Sequence, residues 1–317
     1  MLKKINFDAR LALIVLLVFI SSVISAALQH SLPDVKPVDL SCTCIHFSFD
    51  DSDEDLPPVI LLHGLLGSRS SWQRINADIA IQTGREVYSC DARNHGTSPW
   101  TDEFDFEILA VDLNRMMENH HISKAILIGH SMGGATAMKL ALAKPEKVEK
   151  LIVEDFAPHP ITPEVAQSVL LFVKTMKESL RAIPEGSDLK SAKLAVRDYL
   201  ISKLPPEFAA DISAIKDPSS IPLVSKNGVY SWQMNLDSFI KWLESPESLQ
   251  TSFSGEYNGD SLFIYGTKSP FKVYEAKDTI EKLFPKAQFR AIEGAGHDIH
   301  PNYPEFLTAV LEFIESE

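Results

Sequence analysis

The hexapeptide "GHSMGG", Gly129 to Gly134, joins a continuously apolar run, "KAILIGH", to a segment of small residues, "MGGATAMKLALAKP". A serine at the crest of a strand-to-helix passage needs small neighbours, because side chains there would clash when the backbone adopts strained dihedrals. The G-x-S-x-G pattern predicts a sharp turn that lifts the Ser131 hydroxyl clear of a sheet and aims the following main-chain N–H groups at the same point. A glycine-rich helix start is the plainer reading, and the rest of the chain decides between the two.

Around this turn, "PPVILLHG", "REVYSCDARNHG" and "KVEKLIVED" read as short buried strands, and "FDFEILAVDLNRMMENHH" as an amphipathic helix with Phe106, Leu109, Leu113 and Met116 at helical spacing. Apolar strands separated by helices imply a mostly parallel sheet covered on both faces, an α/β chain. From about Ile161 to Leu243 the alternation stops. "PEVAQSVLLFVKTMKESL", "SDLKSAKLAVRDYLISKL" and "NLDSFIKWLESP" read as helices with no convincing strand among them, a helical cap over the strand ends. Alternation resumes with "SLFIYG", "KDTIEKLF", "AQFRAIEG" and "PEFLTAVLEFIES". The expected organisation is a hydrophobic segment and linker over 1–36, then an α/β domain over 37–317 with a cap insertion over about 160–243.

Bulk properties narrow the function. A formal net charge of −13 across 317 residues, with no concentration of Lys and Arg, argues against a nucleic-acid partner. Of the three cysteines, Cys42 and Cys44 are two apart in a strand-like run and share a face. No disulfide framework is expected from them, and Cys90 reads as a small buried thiol. Neither these cysteines nor the His120–His121 pair has metal-ligand spacing, and no metal or cofactor is expected.

At the N-terminus, Lys3, Lys4 and Arg10 precede the apolar run 11–27, "LALIVLLVFISSVISAA". This fits a secretory signal or a single membrane anchor with the bulk of the chain outside the cytosol. The absence of any N-x-[ST] sequon pulls the other way.

Two further loops carry candidate chemistry. "HGLLGS", His63 to Ser68, follows an early strand and belongs beside Ser131 at the carboxyl edge of a parallel sheet. Its Leu65 N–H and the Met132 N–H are the candidate oxyanion donors. The base for Ser131 is His297, in the glycine-flanked loop "EGAGHDIHP", with His300 and Asp298 on the far side of that loop. His63 and His95 read as turn residues, and His130 as the free position of the elbow.

Taken in order, "HGLLGS", "TGREVYSCDARNHGTSP", "GHSMGG", "EDFAP", "SWQMNLD" and "GAGHDIHPNYP" resemble the α/β-hydrolase superfamily. Within it the chain is most similar to the α/β-hydrolase domain-containing protein 11 family and its bacterial esterase relatives, from about Val38 to the C-terminus. The resemblance implies the α/β-hydrolase fold and a serine hydrolase acting on carboxylic esters, including acylglycerol lipids, without a cofactor. It also implies mitochondrial association, against the signal or anchor reading. An acyltransferase using the same acyl-enzyme and a non-catalytic partner-binding protein are the alternatives.

The acid of the triad needs its own argument. Many enzymes of this superfamily take it from the loop after a later strand, here "LFIYGTKSPFKV", where Thr267, Lys268 and Ser269 offer no carboxylate. The strand after the nucleophile helix ends in Glu154 and Asp155, whose side chains project to opposite faces. "D-F-A-P" is similar to the D-x-[AS]-P stretch of the family, which takes its acid from this strand, so the resemblance assigns Asp155. Glu154 is expected to be a solvated or helix-packed carboxylate. Val169, Leu170, Phe172, Val173 and Met176 either line an acyl pocket or pack the cap, and Trp232 and Asn235 are candidates for its border.

Overall fold

The computed structural model describes residues 32–47, 56–160, 162–213, 215, 217–245, 251–302 and 304–316. The strands are β1 (Ser41–Ile45), β2 (Val59–Leu62), β3 (Val87–Asp91), β4 (Ala125–His130), β5 (Val148–Glu154), β6 (Leu223–Lys226), β7 (Val229–Trp232), β8 (Asp260–Gly266) and β9 (Ala287–Ile292). Seven of them form one sheet in the order β1-β3-β2-β4-β5-β8-β9. Every pairing is parallel except the antiparallel edge β1–β3.

The helices are α1 (Asn76–Thr83), α2 (Phe106–Asn119), α3 (Met132–Ala143), α4 (Pro163–Ser179), α5 (Leu189–Lys203), α6 (Pro206–Ser213), α7 (Leu236–Leu243), α8 (Lys277–Leu283) and α9 (Pro304–Glu315). Strand alternation sorts the core into two layers. Val59, Leu61, Ile126 and Ile128 pack with Ile79 of α1 and Phe306 and Val310 of α9. Ile60, Leu62 and Leu127 pack with Leu109 and Leu113 of α2 and Met138 and Leu140 of α3. Each fully buried side chain of this size contributes about 1.5–3 kcal/mol. Because both faces are covered, the strands read as unbroken apolar runs.

The order of the sheet reverses at β2. From there the chain moves outward to β3 and then returns to β4 on the other side. Crevices at such a switch point are where ligands bind in open α/β sheets. Leu62 pairs with Gly129 across β2 and β4, so the turns after these two strands leave the sheet side by side.

Two expectations require correction. The stretch between α4 and α7 contains strands: β6 and β7 form an antiparallel hairpin with Lys226 opposite Val229. Asn227 and Gly228 between them have φ of 53° and 81°, the conformation of a two-residue Asn-Gly turn. The turn end of the hairpin is exposed, with Val229 69% accessible, and burial is confined to Leu223 and Trp232 at the other end, so the buried alternation that marks a strand is missing. Cys90 is not a thiol. It is bonded to Cys42, its cross-strand neighbour on β1, and Cys44 is the free, exposed cysteine.

Among the described residues, no helix is long and apolar enough to cross a membrane. The run 11–27, read above as a signal or anchor, lies outside the described residues.

Candidate active site

The nucleophile turn depends on close backbone approach. A Cβ on Gly133 would lie 2.1 Å from the Leu62 carbonyl oxygen, and one on Gly129 would lie 2.3 Å from the Gly133 carbonyl oxygen. Only glycine fits at either place. Between them Ser131 takes φ 51° and ψ −114°, a strained conformation for a non-glycine residue and one that clusters at active sites. Its N–H donates to the Glu154 carbonyl at 3.0 Å, tying the turn to the end of β5. Met132 begins α3, so its N–H belongs to the first turn, which has no intrahelical acceptors.

The "HGLLGS" turn lies against this elbow. A Cβ on Gly64 would stand 3.3 Å from Ser131 Cβ and 2.6 Å from His130 Nδ1. Leu65 follows directly, half-buried against the core. His63 is buried and bridges two strand ends: its Nε2 accepts from the Ala92 N–H at 3.0 Å, and its Nδ1 lies 2.8 Å from the Gly64 carbonyl. Burial lowers its pKa, and burial with the neighbouring His63 lowers His95 to about 3. Both are buried and neutral.

Asp155 is the first residue beyond β5, has φ 51°, and is fully buried. Its N–H donates to the Ile264 carbonyl at 2.8 Å. Oδ2 lies 2.6 Å from His297 Nδ1. A carboxylate only accepts, so Nδ1 carries the proton and Nε2 is left as the basic nitrogen. Oδ1 accepts from the Gly266 N–H at 3.1 Å, and the Ser269 hydroxyl donates to Oδ2. The His297 ring is stacked on Phe271 at 4.1 Å and tilted against His130 at 4.7 Å.

The three residues proposed from sequence as nucleophile, acid and base thus sit on the loops after β4, β5 and β9, at the carboxyl edge of the sheet, and two of them are directly hydrogen-bonded. The "YGTKSP" stretch, read above as a missing acid, supplies donors to the acid from the neighbouring strand. Sequence reasoning missed Ser269 because it sought a carboxylate there.

Glu154 is not a solvated or helix-packed carboxylate. It is 0% exposed and accepts from the N–H groups of Ile299 and His300 at 2.9 and 2.8 Å, and His300 Nδ1 lies 2.8 Å from Oε2. Burial pushes its pKa up, but the charges of His300 and His130 and the hydrogen bonds outweigh this and hold it at about 2. His300, opposed by burial and favoured by Glu154, is raised. It too is buried, stacked on Trp72 at 4.2 Å. His130 is no free position either. Its Nε2 lies 3.1 Å from the His297 carbonyl, and burial lowers its pKa to about 4.

In the block between β5 and β8, Val173 and Met176 are buried, and Trp232 Nε1–H donates to the Met176 carbonyl at 2.8 Å. These three residues pack the block together. Val169, Leu170 and Phe172 are partly buried. Asn235 caps α7 and donates to the Thr101 carbonyl at 3.0 Å, tying the block to the loop after β3. Among the described residues there is no cluster of three metal-ligating side chains.

Comparison with known proteins identifies the family. A family model described as alpha/beta hydrolase fold matches residues 57–303. The sn-1-specific diacylglycerol lipase ABHD11 of Xenopus laevis is 33% identical over 288 residues, spanning 86% of this chain and 85% of its own. A probable alcohol acetyltransferase of Saccharomyces cerevisiae is 27% identical over 311 residues, 90% of this chain and 87% of its own. Among solved structures, a marine microorganism esterase superposes with a TM-score of 0.71 at 28% identity, covering 87% of this chain and 99% of the esterase. With a parallel sheet, a strained serine turn and a family model spanning most of its length, the chain belongs to the α/β-hydrolase family.

Proposed function

We propose that this chain is a serine hydrolase of carboxylic esters, with acylglycerol-type lipids as the substrate class, acting through a Ser131–His297–Asp155 triad. The observation that carries the reading is the 2.6 Å contact between His297 Nδ1 and the buried Asp155 carboxylate, at the same sheet edge as a strained Ser131. Nε2 of His297 takes the Ser131 proton as Oγ attacks the ester carbonyl. The developing oxyanion is met by the main-chain N–H groups of Leu65 and Met132, each worth about 3 kcal/mol in such a role. His297 then protonates the leaving alcohol and activates water to release the acid. Asp155 holds the imidazole in its tautomer and stabilises the imidazolium. The lipid preference is supported by the diacylglycerol lipases to which the chain is similar.

The test is labelling with a fluorophosphonate probe in wild type and Ser131→Ala. Labelling lost with Ser131 is expected, and a folded protein with no Ser131-dependent labelling would overturn the assignment. The yeast acetyltransferase relative favours a second reading, in which an alcohol replaces water in deacylation. Turnover with ethanol present distinguishes them: ester product marks transfer, and free acid marks hydrolysis. The run 11–27 is proposed to target the chain to a membrane or the secretory pathway, with the mitochondrion as the alternative, and fractionation with protease protection decides.

A further inference from the structure

Glu154 and Asp155 leave β5 in opposite directions, yet both end on the same loop. Asp155 takes the ring of His297. Glu154 takes the main chain beyond it, through the amides of Ile299 and His300, and the His300 ring as well. From the other side, His130 Nε2 reaches the His297 carbonyl. The main chain carrying the base is therefore held before and after its turn, and the His300 ring is fixed in place by Trp72.

The same residue also reaches the nucleophile. Its carbonyl accepts the Ser131 N–H at 3.0 Å. A buried charge is weak evidence for stability, since apolar replacements of buried ion pairs are often neutral or better. Its retention here calls for a geometric reason. Glu154 is hydrogen-bonded by its main chain to Ser131 and by its side chain to the loop of His297.

We propose that Glu154 is a positioning residue for ester hydrolysis: with His300 and His130 it fixes the main chain of residues 297–300, so that the His297 ring meets the Ser131 hydroxyl at reacting distance. The proposal rests on the hydrolase reading above. Its signature is a loss in kcat without a loss in substrate affinity, because Glu154 is 0% exposed and out of reach of substrate.

The test measures kcat and KM for p-nitrophenyl butyrate, with thermal melting in parallel, on the full chain. The variants are Glu154→Gln, Glu154→Leu, His300→Gln and Ser131→Ala, with Leu142→Ala at the far end of α3 as a core-destabilised control. A displacement of about 1 Å costs roughly a hundredfold, so Glu154→Leu is expected to lower kcat by about that factor. Glu154→Gln, whose oxygen still accepts from both amides, and His300→Gln are expected to lose about tenfold, with KM within about twofold throughout. Leu142→Ala should lower the melting temperature with kcat unchanged. If the Glu154 and His300 variants keep wild-type kcat while Ser131→Ala is inactive, the positioning role is wrong and the hydrolase reading stands. If kcat in every variant, Leu142→Ala included, merely follows the melting temperature, the role is structural only. Should the Glu154 variants not fold, His300→Gln decides alone. Activity surviving in Ser131→Ala would overturn the hydrolase reading itself.

Discussion

The Ser269 hydroxyl donates to the carboxylate of Asp155, 114 residues earlier in the chain. Ser269 lies in the loop after β8, where many α/β hydrolases carry their acid, while Asp155 is the first residue beyond the adjacent strand β5. The two loops meet because Glu154 and Ile264 are paired across β5 and β8. Asp155 therefore meets three partners, the His297 ring, the Ser269 hydroxyl and the Gly266 N–H.

Removing that donor should weaken the acid without removing it. A hydrogen bond to a charged group contributes about 1.5–3 kcal/mol, so Ser269→Ala is expected to lower kcat about tenfold with KM little changed. Asp155→Asn should be far more severe, on the order of 10⁴-fold, because an amide does not enforce the required imidazole tautomer. Adding Ser269→Asp to Asp155→Asn should recover at least about tenfold, since the carboxylate would return from the neighbouring loop. Ester turnover of the three proteins checks all of this, and no recovery in the double variant would show that the two loops are not interchangeable hosts for the acid.

Gly133→Ala should not fold normally. Its Cβ would lie 2.1 Å from the Leu62 carbonyl oxygen and 2.8 Å from that of His63, main-chain atoms that leave nothing soft to yield. A loss of about 3 kcal/mol or more is expected from overpacking of this kind, read as a shift in the urea midpoint.

Stability should fall in mild acid. His130 and His95 are buried and lowered from 6.5 to about 4 and about 3, so between pH 6.5 and about 4 the unfolded chain binds protons that the folded one refuses. Two such groups lower stability by about 2.7 kcal/mol per pH unit across that window. Glu154, depressed from 4.5 to about 2, adds to the loss as pH falls from 4.5 through about 2. His300, raised from 6.5, has the opposite sign: its contribution is complete below 6.5 and disappears as pH rises through its folded value. Urea titrations at pH 5, 6 and 7 check the slope, and a flat profile would contradict the buried neutral histidines.

Reduction should loosen the sheet edge. The Cys42–Cys90 bridge spans 48 residues, and closing a loop of that length contributes about 4 kcal/mol in the chain-entropy account. Melting with and without dithiothreitol, alongside Cys42→Ser, is expected to show matching losses in the reduced and substituted proteins.

What the sequence disclosed followed from burial. Strands covered on both faces announced themselves as apolar runs, and the serine turn by the glycines its packing demands. β6 and β7 were missed because they are short and exposed at their turn end. The Asn227–Gly228 pair was the available signal. The fate of Glu154 was hidden because its partner His300 lies 146 residues away, and a lone acid at a strand end looks the same buried or solvated. Cys90 misled for a similar reason: its partner lies across the sheet edge, a relation that spacing along the chain does not display.

Ser131 and Asp155 each stand one step beyond a parallel strand, and each gives its N–H to a main-chain carbonyl of the neighbouring strand, Ser131 to Glu154 and Asp155 to Ile264. The sheet thereby acts as a ruler whose graduation is the strand spacing of about 4.8 Å. The block between β5 and β8 is anchored elsewhere, with Asn235 on the Thr101 carbonyl and Trp242 on Phe106. The two are separable inheritances: a lineage could remodel the block to admit different esters while the chemistry beneath it stays in register.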